Sequence, residues 1–153
     1  MIFSKTSQYA IQTLIFIATQ PRDQPVLARE VASRLGVPAP YLAKIMQALS
    51  KGGLLESYRG PQGGFCLLKD ASEIDLMQVL TMIEGPGLVD TCVLGLKICS
   101  DETPCPMHVQ WKPIKKNIID LLHKKTLKTL ATAVNSGQYR IADLPMAALK
   151  SKA

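Results

Sequence analysis

The sequence lacks any hydrophobic run long enough to cross a membrane. Its longest uninterrupted apolar stretch, Leu14 to Ala18, is far shorter than the roughly 20 residues that a membrane-spanning helix requires. The N-terminus also lacks the basic region, apolar region and small-residue cleavage site of a secretory signal. These absences argue against a membrane partner and lead us to expect a cytoplasmic protein.

The chain also has none of the motifs that would indicate an enzyme. It contains no glycine-rich phosphate loop after a strand and no nucleophile elbow. Internal repeats and low-complexity segments are absent too, and an apolar fraction of 47% is ample for a hydrophobic core. We therefore expect one compact domain in a chain of 153 residues, without a catalytic site.

Acidic residues are scarce at both ends of the chain. Residues 1–70 carry eight Lys/Arg against four Asp/Glu, residues 71–110 carry one against six, and residues 111–153 carry nine against two. Two basic blocks thus flank an acidic middle segment. A basic surface suits a polyanion such as DNA, because each neutralised phosphate releases counterions, although a solvated lysine-rich face would have the same composition.

Residues 27–51 have the pattern of two helices joined by a sharp turn. Apolar residues recur at helical spacing up to Leu35, Gly36 suits the left-handed position that ends a helix, and a second helix begins near Pro40. Such a helix–turn–helix is typical of DNA-binding proteins, in which the second helix enters the major groove. The outer face of the second helix carries Tyr41, Lys44 and Gln47.

Two short strands, at residues 54–58 and 65–69, are predicted around a tip of sequence Arg-Gly-Pro-Gln-Gly-Gly. Three glycines and a proline favour a tight hairpin, which is the wing of a winged-helix domain. An arginine at this tip is suited to a narrow minor groove or to a phosphate. The candidate DNA contacts of the wing are Arg59, Gly60 and Pro61.

After a short helix capped by Asp75 and an irregular stretch from Gly85, a long amphipathic helix is predicted from about Pro113 toward Lys125. Thr126 is expected to cap a further helical turn. The apolar stripe of this region is wide for a helix left alone on a small domain, so a partner helix from a second copy would cover it in a homodimer.

The predicted fold is therefore mainly α with a small β-wing, in the form of a winged helix–turn–helix domain followed by a long dimerisation helix. The chain divides into a DNA-binding domain at 1–84, a cysteine-rich cluster-binding loop at 85–108, a dimerisation helix at 109–135 and a loosely held C-terminal tail at 136–153.

Three of the four cysteines, Cys92, Cys99 and Cys105, fall within fourteen residues, and His108 follows shortly after them. Thiolates together with an imidazole select an iron–sulfur cluster, zinc or copper(I). Zinc sites usually contain close ligand pairs, whereas no two of these cysteines are separated by only two to four residues, and this favours the cluster. A structural zinc site and a metal-free thiol switch remain the alternatives.

The winged helix, the wing sequence at residues 59–65 and the three cysteines before a long helix resemble the BadM-type family of winged-helix regulators. This family includes the IscR-like and NsrR-like iron–sulfur cluster regulators, and the resemblance extends over roughly residues 1–134. The cluster ligands that it implies are Cys92, Cys99, Cys105 and His108.

The resemblance also bears on the type of cluster. In some NsrR-like members the fourth ligand is an aspartate near the N-terminus of the partner subunit, and here Gln8, a poor ligand, stands at that place. This favours His108 and a 2Fe–2S cluster. A 4Fe–4S cluster is the alternative, because the gap between the first two cysteines is one residue longer than is typical of the IscR type.

By the same resemblance, Pro40, Tyr41 and Lys44 would reach the major groove of a double-stranded DNA operator, and Arg59 would enter the minor groove. The implied function is a transcription regulator, acting as a repressor. Its DNA affinity would be controlled by a cluster that senses redox conditions, nitric oxide or iron–sulfur status.

Overall fold

The computed structural model describes residues 3–143, which form six α-helices and one two-stranded antiparallel sheet. The elements are α1 (Lys5–Ala18), α2 (Ala28–Leu35), α3 (Ala39–Lys51), β1 (Leu55–Tyr58), β2 (Gly64–Leu67), α4 (Leu76–Glu84), α5 (His108–Lys124) and α6 (Leu127–Asn135). This architecture confirms the prediction of a mainly α fold with a small β-wing. No helix in this part of the chain is both long and apolar enough to cross a bilayer.

The turn between α2 and α3 forms as the sequence predicts. Gly36 ends α2 with a φ of 70°, a left-handed conformation that other residues rarely adopt. Pro40 lies in the first turn of α3, where no helical hydrogen bond is lost through its missing N–H. The inner face of α3 is buried through Leu42, Ile45, Met46 and Leu49. This packing fixes α3 on the domain and leaves its opposite face exposed.

The wing depends on glycines at its base. β1 and β2 pair with Tyr58 opposite Gly64, and Val26 bridges to Phe65 on the other side of β2. A Cβ on Gly63 would lie 2.4 Å from the carbonyl oxygen of Tyr58, and one on Gly64 would lie 2.7 Å from that of Val26. Only glycine therefore allows the main chain to pack this closely below the wing tip.

Two hydrophobic clusters hold the helices together. The larger one lies between α1 and the helices around it, and it includes the fully buried side chains of Leu14 and Leu127. The smaller one joins α4 to α5 through Leu80 and Leu122. Because burying one such side chain contributes about 1.5–3 kcal/mol, this contact holds the C-terminal part of α5 against α4.

The long helix begins earlier than the sequence pattern predicts. α5 starts at His108 and continues through Pro113, which lies inside the helix. The missing N–H of Pro113 removes one helical hydrogen bond, that to the carbonyl of Val109. Val109 is 78% exposed, so water can replace the absent donor. The interpretation of Pro113 as a helix start is therefore wrong.

The segment 109–135 is divided between two helices and is not a single dimerisation helix. Thr126 begins α6 with a reciprocal capping box, in which its side chain accepts a hydrogen bond from the Thr129 N–H. This confirms the predicted cap. The junction is tied to α4, because the Leu76 N–H donates to the carbonyl of Lys125 at 3.0 Å.

Part of the predicted C-terminal tail packs against the domain. Ala142 is buried, and Ile141 is packed against the main core cluster. A loosely held tail is therefore wrong for residues 136–143, since burial of these two apolar side chains holds the segment in place. The remainder of the predicted tail, residues 144–153, lies outside the described residues.

The outer side of α5 carries an exposed line of apolar side chains. Met107, Ile114 and Leu121 follow one another at intervals of seven residues, with exposed fractions of 43%, 51% and 52%. Seven residues are close to two helical turns, so the three side chains lie along one line of the helix. This uncovered stripe lies where the sequence predicts a partner helix.

Candidate metal centre and nucleic-acid interface

The three clustered cysteines lie on the loop between α4 and α5. Main-chain hydrogen bonds shape this loop: the Gly95 N–H donates to the carbonyl of Cys92 at 2.9 Å, and the Cys99 N–H donates to that of Asp90 at 3.0 Å. Gly95 has a φ of 84°, which a glycine adopts without strain. The loop therefore turns back on itself and brings sulfurs that are distant in sequence close together.

The four predicted ligands form two pairs. Cys92 Sγ lies 3.3 Å from Cys105 Sγ, and Cys99 Sγ lies 3.5 Å from His108 Nδ1. Within residues 3–143, no three Cys, His, Asp or Glu side chains converge as the ligands of a single metal ion would. The structure thus brings the predicted ligands together two by two and does not gather all four around one point.

The two sulfurs of the first pair are not equivalent. The Leu94 N–H lies 3.4 Å from Cys92 Sγ, and this hydrogen bond lowers the pKa of Cys92. The hydrogen bond with Cys92 raises the pKa of Cys105, because a thiolate disfavours a second negative charge beside it. The two pKa values are thus shifted in opposite directions, and Cys92 is the more acidic thiol of the pair.

His108 is held from the other side by Asp101. The Nε2 of the imidazole lies 2.8 Å from Asp101 Oδ1, and Lys112 Nζ lies 2.8 and 2.7 Å from Oδ1 and Oδ2 of the same carboxylate. Hydrogen bonds from Lys112 and His108 lower the pKa of Asp101. The sequence pattern did not single out Asp101 or Lys112. The spacing of His108 and Lys112 on one helix face is the signal that could have found the lysine.

Cys66 lies apart from this site, in β2, and its side chain is buried. Burial raises the pKa of the Cys66 thiol, so it stays protonated at neutral pH. A buried, protonated thiol is a poor metal ligand and a poor nucleophile. The prediction that Cys66 is a packed strand residue is confirmed.

Two exposed segments carry most of the predicted DNA contacts. α3 presents the face opposite its buried side, and the wing tip projects beyond β1 and β2. Each segment offers a basic side chain that can approach a phosphate or a base edge. The exposed residues are Pro40, Lys44, Gln47, Arg59, Gly60 and Pro61. Their contact with DNA stays a prediction.

Tyr41 differs from the other predicted contacts on α3. It is half-buried, its hydroxyl lies 2.9 Å from Thr6 Oγ1, and its ring packs edge-on against Tyr9 with the centroids 5.9 Å apart. The expectation of an exposed Tyr41 is therefore wrong, because α1 covers this side of α3. The hydroxyl joins the two helices, and the signal for this contact is not visible in the local sequence.

The chain is similar to known regulators of transcription. The sequence model of the Rrf2 family, described as an iron-dependent transcriptional regulator, matches residues 3–133. A protein of Aquifex aeolicus (strain VF5), named as an HTH-type transcriptional regulator, is 36% identical over 132 residues, which are 85% of this chain and 91% of that protein. The HTH-type transcriptional regulator IscR of Yersinia pseudotuberculosis is 30% identical over 143 residues, which are 94% of this chain and 85% of that protein.

Two solved structures have the same fold. T. potens IscR superposes with a TM-score of 0.71 at 26% sequence identity, and the match covers 90% of each chain. CymR (YrzC), the global cysteine regulator of B. subtilis, superposes with a TM-score of 0.72 at 24% identity, over 86% of this chain and 96% of its own. At this identity the likeness to CymR concerns the fold alone.

Proposed function

Because the chain belongs to the Rrf2 family of transcriptional regulators, we propose that it is a repressor whose affinity for a double-stranded DNA operator is controlled by an iron–sulfur cluster. It is not an enzyme, since its relatives are named as regulators of transcription. The proposal adds three points to family membership: the cluster, its ligands and a homodimer. We place it in the cytoplasm, where a reducing environment keeps cysteines available to iron.

The pairing of the four predicted ligands is the observation that supports an iron–sulfur cluster. In a 2Fe–2S cluster the four protein ligands are divided between two irons. Cys92 with Cys105 and Cys99 with His108 form two pairs of this kind, and three thiolates with one imidazole are a suitable donor set. A single zinc ion needs its ligands around one point, and residues 3–143 contain no such group. The residues therefore fit a 2Fe–2S cluster better than zinc.

When bound, the cluster supplies a one-electron redox couple and a target for oxygen and nitric oxide. The chain transmits its presence through α5, whose first residue is His108. At the other end of the helix, Leu122 packs on Leu80 of α4. Loss of the cluster would release one end of α5 while the other stays held. We expect the resulting tilt to change operator affinity by about 1–3 kcal/mol.

The exposed stripe of α5 is the reason for proposing a homodimer. Met107, Ile114 and Leu121 would be covered by the same stripe of a second copy related by a twofold axis. Leu94 and Ile98 of the cysteine loop are also exposed. In such a dimer the two α3 helices would reach successive major grooves, about one turn of DNA apart.

On the operator, Lys44 and Gln47 of α3 would reach the major groove and Arg59 of the wing would enter the minor groove. All three side chains are exposed and none is part of the core. Tyr41 supports this surface from behind, because its hydrogen bond with Thr6 holds the start of α3 against α1.

Purification without oxygen tests the cluster directly. We expect a brown protein with absorption bands between about 320 and 460 nm and with iron and sulfide in equal amounts. Operator fragments selected from genomic DNA then allow the affinity of the loaded and the cluster-free protein to be compared. Cys99→Ala should bind DNA like the cluster-free protein under all redox conditions.

Cys66→Ala is the matched control, because it removes a buried thiol that lies outside the site. This variant should retain both the cluster and the redox response. A protein that stays colourless after reconstitution with iron and sulfide would overturn the proposal. The same holds if Cys99→Ala responds to redox conditions like the wild type.

A metal-free thiol switch is the second candidate, and one contact favours it. Cys92 Sγ and Cys105 Sγ lie 3.3 Å apart, and the pKa of Cys92 is lowered, as in reactive thiols. Peroxide would oxidise the pair to a disulfide, with two protons and two electrons reducing the peroxide to water. Because Cys92 is buried, access of the oxidant is restricted, and we rank the switch second.

Mass spectrometry and DNA binding distinguish the switch from the cluster. Peroxide treatment of metal-free protein should join Cys92 to Cys105 and change operator affinity, and Cys105→Ser should abolish both effects. An unchanged affinity after complete oxidation would exclude the switch.

A further inference from the structure

The two ring nitrogens of His108 face different partners. Nδ1 lies 3.5 Å from Cys99 Sγ, on the side of the proposed cluster, whereas Nε2 lies 2.8 Å from Asp101 Oδ1. The His108 side chain is only 8% exposed, so water competes little for either nitrogen. The ring is therefore held in one orientation, with Nε2 committed to the carboxylate.

Asp101 is itself fixed between the loop and the helix. Both carboxylate oxygens lie within 2.8 Å of Lys112 Nζ, and Lys112 follows His108 by one turn of α5. On the loop side, the Thr103 N–H donates to Ser100 Oγ at 3.3 Å and closes the turn that carries Asp101. The carboxylate thus connects the cysteine loop to the first turn of α5.

We propose that Asp101 is a positioning residue for the cluster: it accepts the Nε2–H of His108 and so leaves Nδ1 as the nitrogen that binds iron. This inference rests on the proposed function. Histidines that ligate metals commonly donate their other ring N–H to a carboxylate, which fixes the tautomer and makes the ring a stronger donor. Lys112 keeps the carboxylate in the orientation that this hydrogen bond requires.

A merely structural role for Asp101 makes different predictions. The pair with Lys112 joins two largely exposed side chains, and such surface pairs contribute about 0–1 kcal/mol to stability. If this pair were the whole role, removing Asp101 would affect folding slightly and the cluster not at all. If Asp101 positions His108, its removal weakens the hold on iron while the domain stays folded.

Three variants separate these roles, each purified without oxygen and loaded with its cluster. Asp101→Ala removes the acceptor, Asp101→Asn retains a neutral acceptor, and Glu102→Ala removes the same charge from the adjacent exposed residue. The first measurement is the rate at which a chelator bleaches the cluster. The second is the coupling to the histidine nitrogen in pulsed electron paramagnetic resonance of the reduced cluster.

We expect Asp101→Ala to lose its cluster roughly 10- to 100-fold faster than the wild type, as for other partners of metal-bound histidines. Asp101→Asn should fall between the two, and the nitrogen coupling should change in Asp101→Ala. Glu102→Ala should match the wild type in both measurements. In a His108→Cys background, Asp101→Ala should have no further effect, because a thiolate has no tautomer to fix.

The outcomes distinguish this inference from the proposed function. If the wild type holds a cluster and Asp101→Ala behaves like Glu102→Ala, the positioning role is wrong and the regulator remains. An equal effect of Asp101→Ala in the His108→Cys background also overturns the positioning role, since the effect would then not pass through His108. If the wild type itself takes up no iron and sulfide, the proposed function fails first.

Discussion

At the start of α1, Oε1 of Glu84 accepts three hydrogen bonds: from the Ser4 N–H at 2.9 Å, and from the Ser4 and Ser7 hydroxyls at 2.6 Å each. Glu84 is the last residue of α4, so one carboxylate oxygen joins the ends of two helices. The hydrogen bonds from Ser4 and Ser7 lower the pKa of Glu84, because they favour its ionised form.

Replacement of this carboxylate should therefore destabilise the protein in a pH-dependent way. We expect Glu84→Gln to reduce the free energy of unfolding at pH 7 by about 1 kcal/mol, a modest value because the side chain is partly exposed. A lowered pKa stabilises the fold above the unfolded-state value of about 4.3, and this stabilisation disappears as the pH falls through the folded-state value. Urea unfolding should thus show the difference shrinking as the pH falls below about 4.3.

The exposed Glu73, replaced by glutamine, is the control for this comparison. It should change stability by less than about 0.5 kcal/mol. A constant difference between Glu84→Gln and the wild type from pH 7 to pH 3 would show that the three hydrogen bonds do not depend on the charge.

The role of Tyr41 can be tested by a substitution that removes only its hydroxyl group. Tyr41→Phe removes the hydroxyl that lies 2.9 Å from Thr6 Oγ1, and we expect a decrease of about 1 kcal/mol in unfolding free energy. Operator affinity, measured below the unfolding transition, should change by less than about twofold. The exposed Tyr139, changed to phenylalanine, should affect neither quantity. A large decrease in affinity at unchanged stability would instead favour a direct contact of the hydroxyl with DNA.

The exposed stripe of α5 predicts where two copies of the chain meet. Glutamine at both Ile114 and Leu121 makes two exposed positions of the stripe polar, and each change occurs twice in a twofold dimer. Burial of such side chains contributes about 1.5–3 kcal/mol each, so we expect the dimer to weaken by at least about 100-fold. Sedimentation velocity measures this change. The thermal unfolding of the monomer should be unaffected.

Lys116→Gln is the control on the same helix, since this residue is exposed and lies off the stripe. It should leave the dimer intact. A double variant that stays dimeric would place the dimer contact elsewhere on the domain and would remove the proposed link between α5 and the spacing of the two recognition helices.

The affinity of the protein for DNA should depend steeply on salt concentration. The net charge is +6, and the two basic blocks flank an acidic segment that contains the cysteine loop. Each phosphate that the protein neutralises adds about 0.9 to the slope of log affinity against log salt concentration. Arg59→Ala should therefore reduce the slope by nearly two in a dimer, and Lys44→Ala by a similar amount. Lys116→Ala, on α5, should leave it unchanged.

The fold could be predicted almost completely because its signals are local. Apolar spacing identifies the helices, Gly36 and Pro40 mark the turn between α2 and α3, and the glycines at the base of the wing are required by close contacts. The start of α5 could not be predicted in this way. A proline in the first turn of a helix removes no helical hydrogen bond, whereas Pro113 removes the one to the carbonyl of Val109. The exposure of Val109, which lets water replace the missing donor, is a property of the fold and not of the local sequence.

The amino-acid sequence alone specifies which parts are available: a helix–turn–helix with a wing, and three cysteines followed by His108. How they combine is visible only in the folded chain, namely in the two ligand pairs, the contact of Asp101 with His108, and the turning of Tyr41 toward Thr6. The difference arises because each of these contacts depends on the path of a loop or on the packing of two helices. Such arrangements follow from the whole fold and have no periodic or local signal.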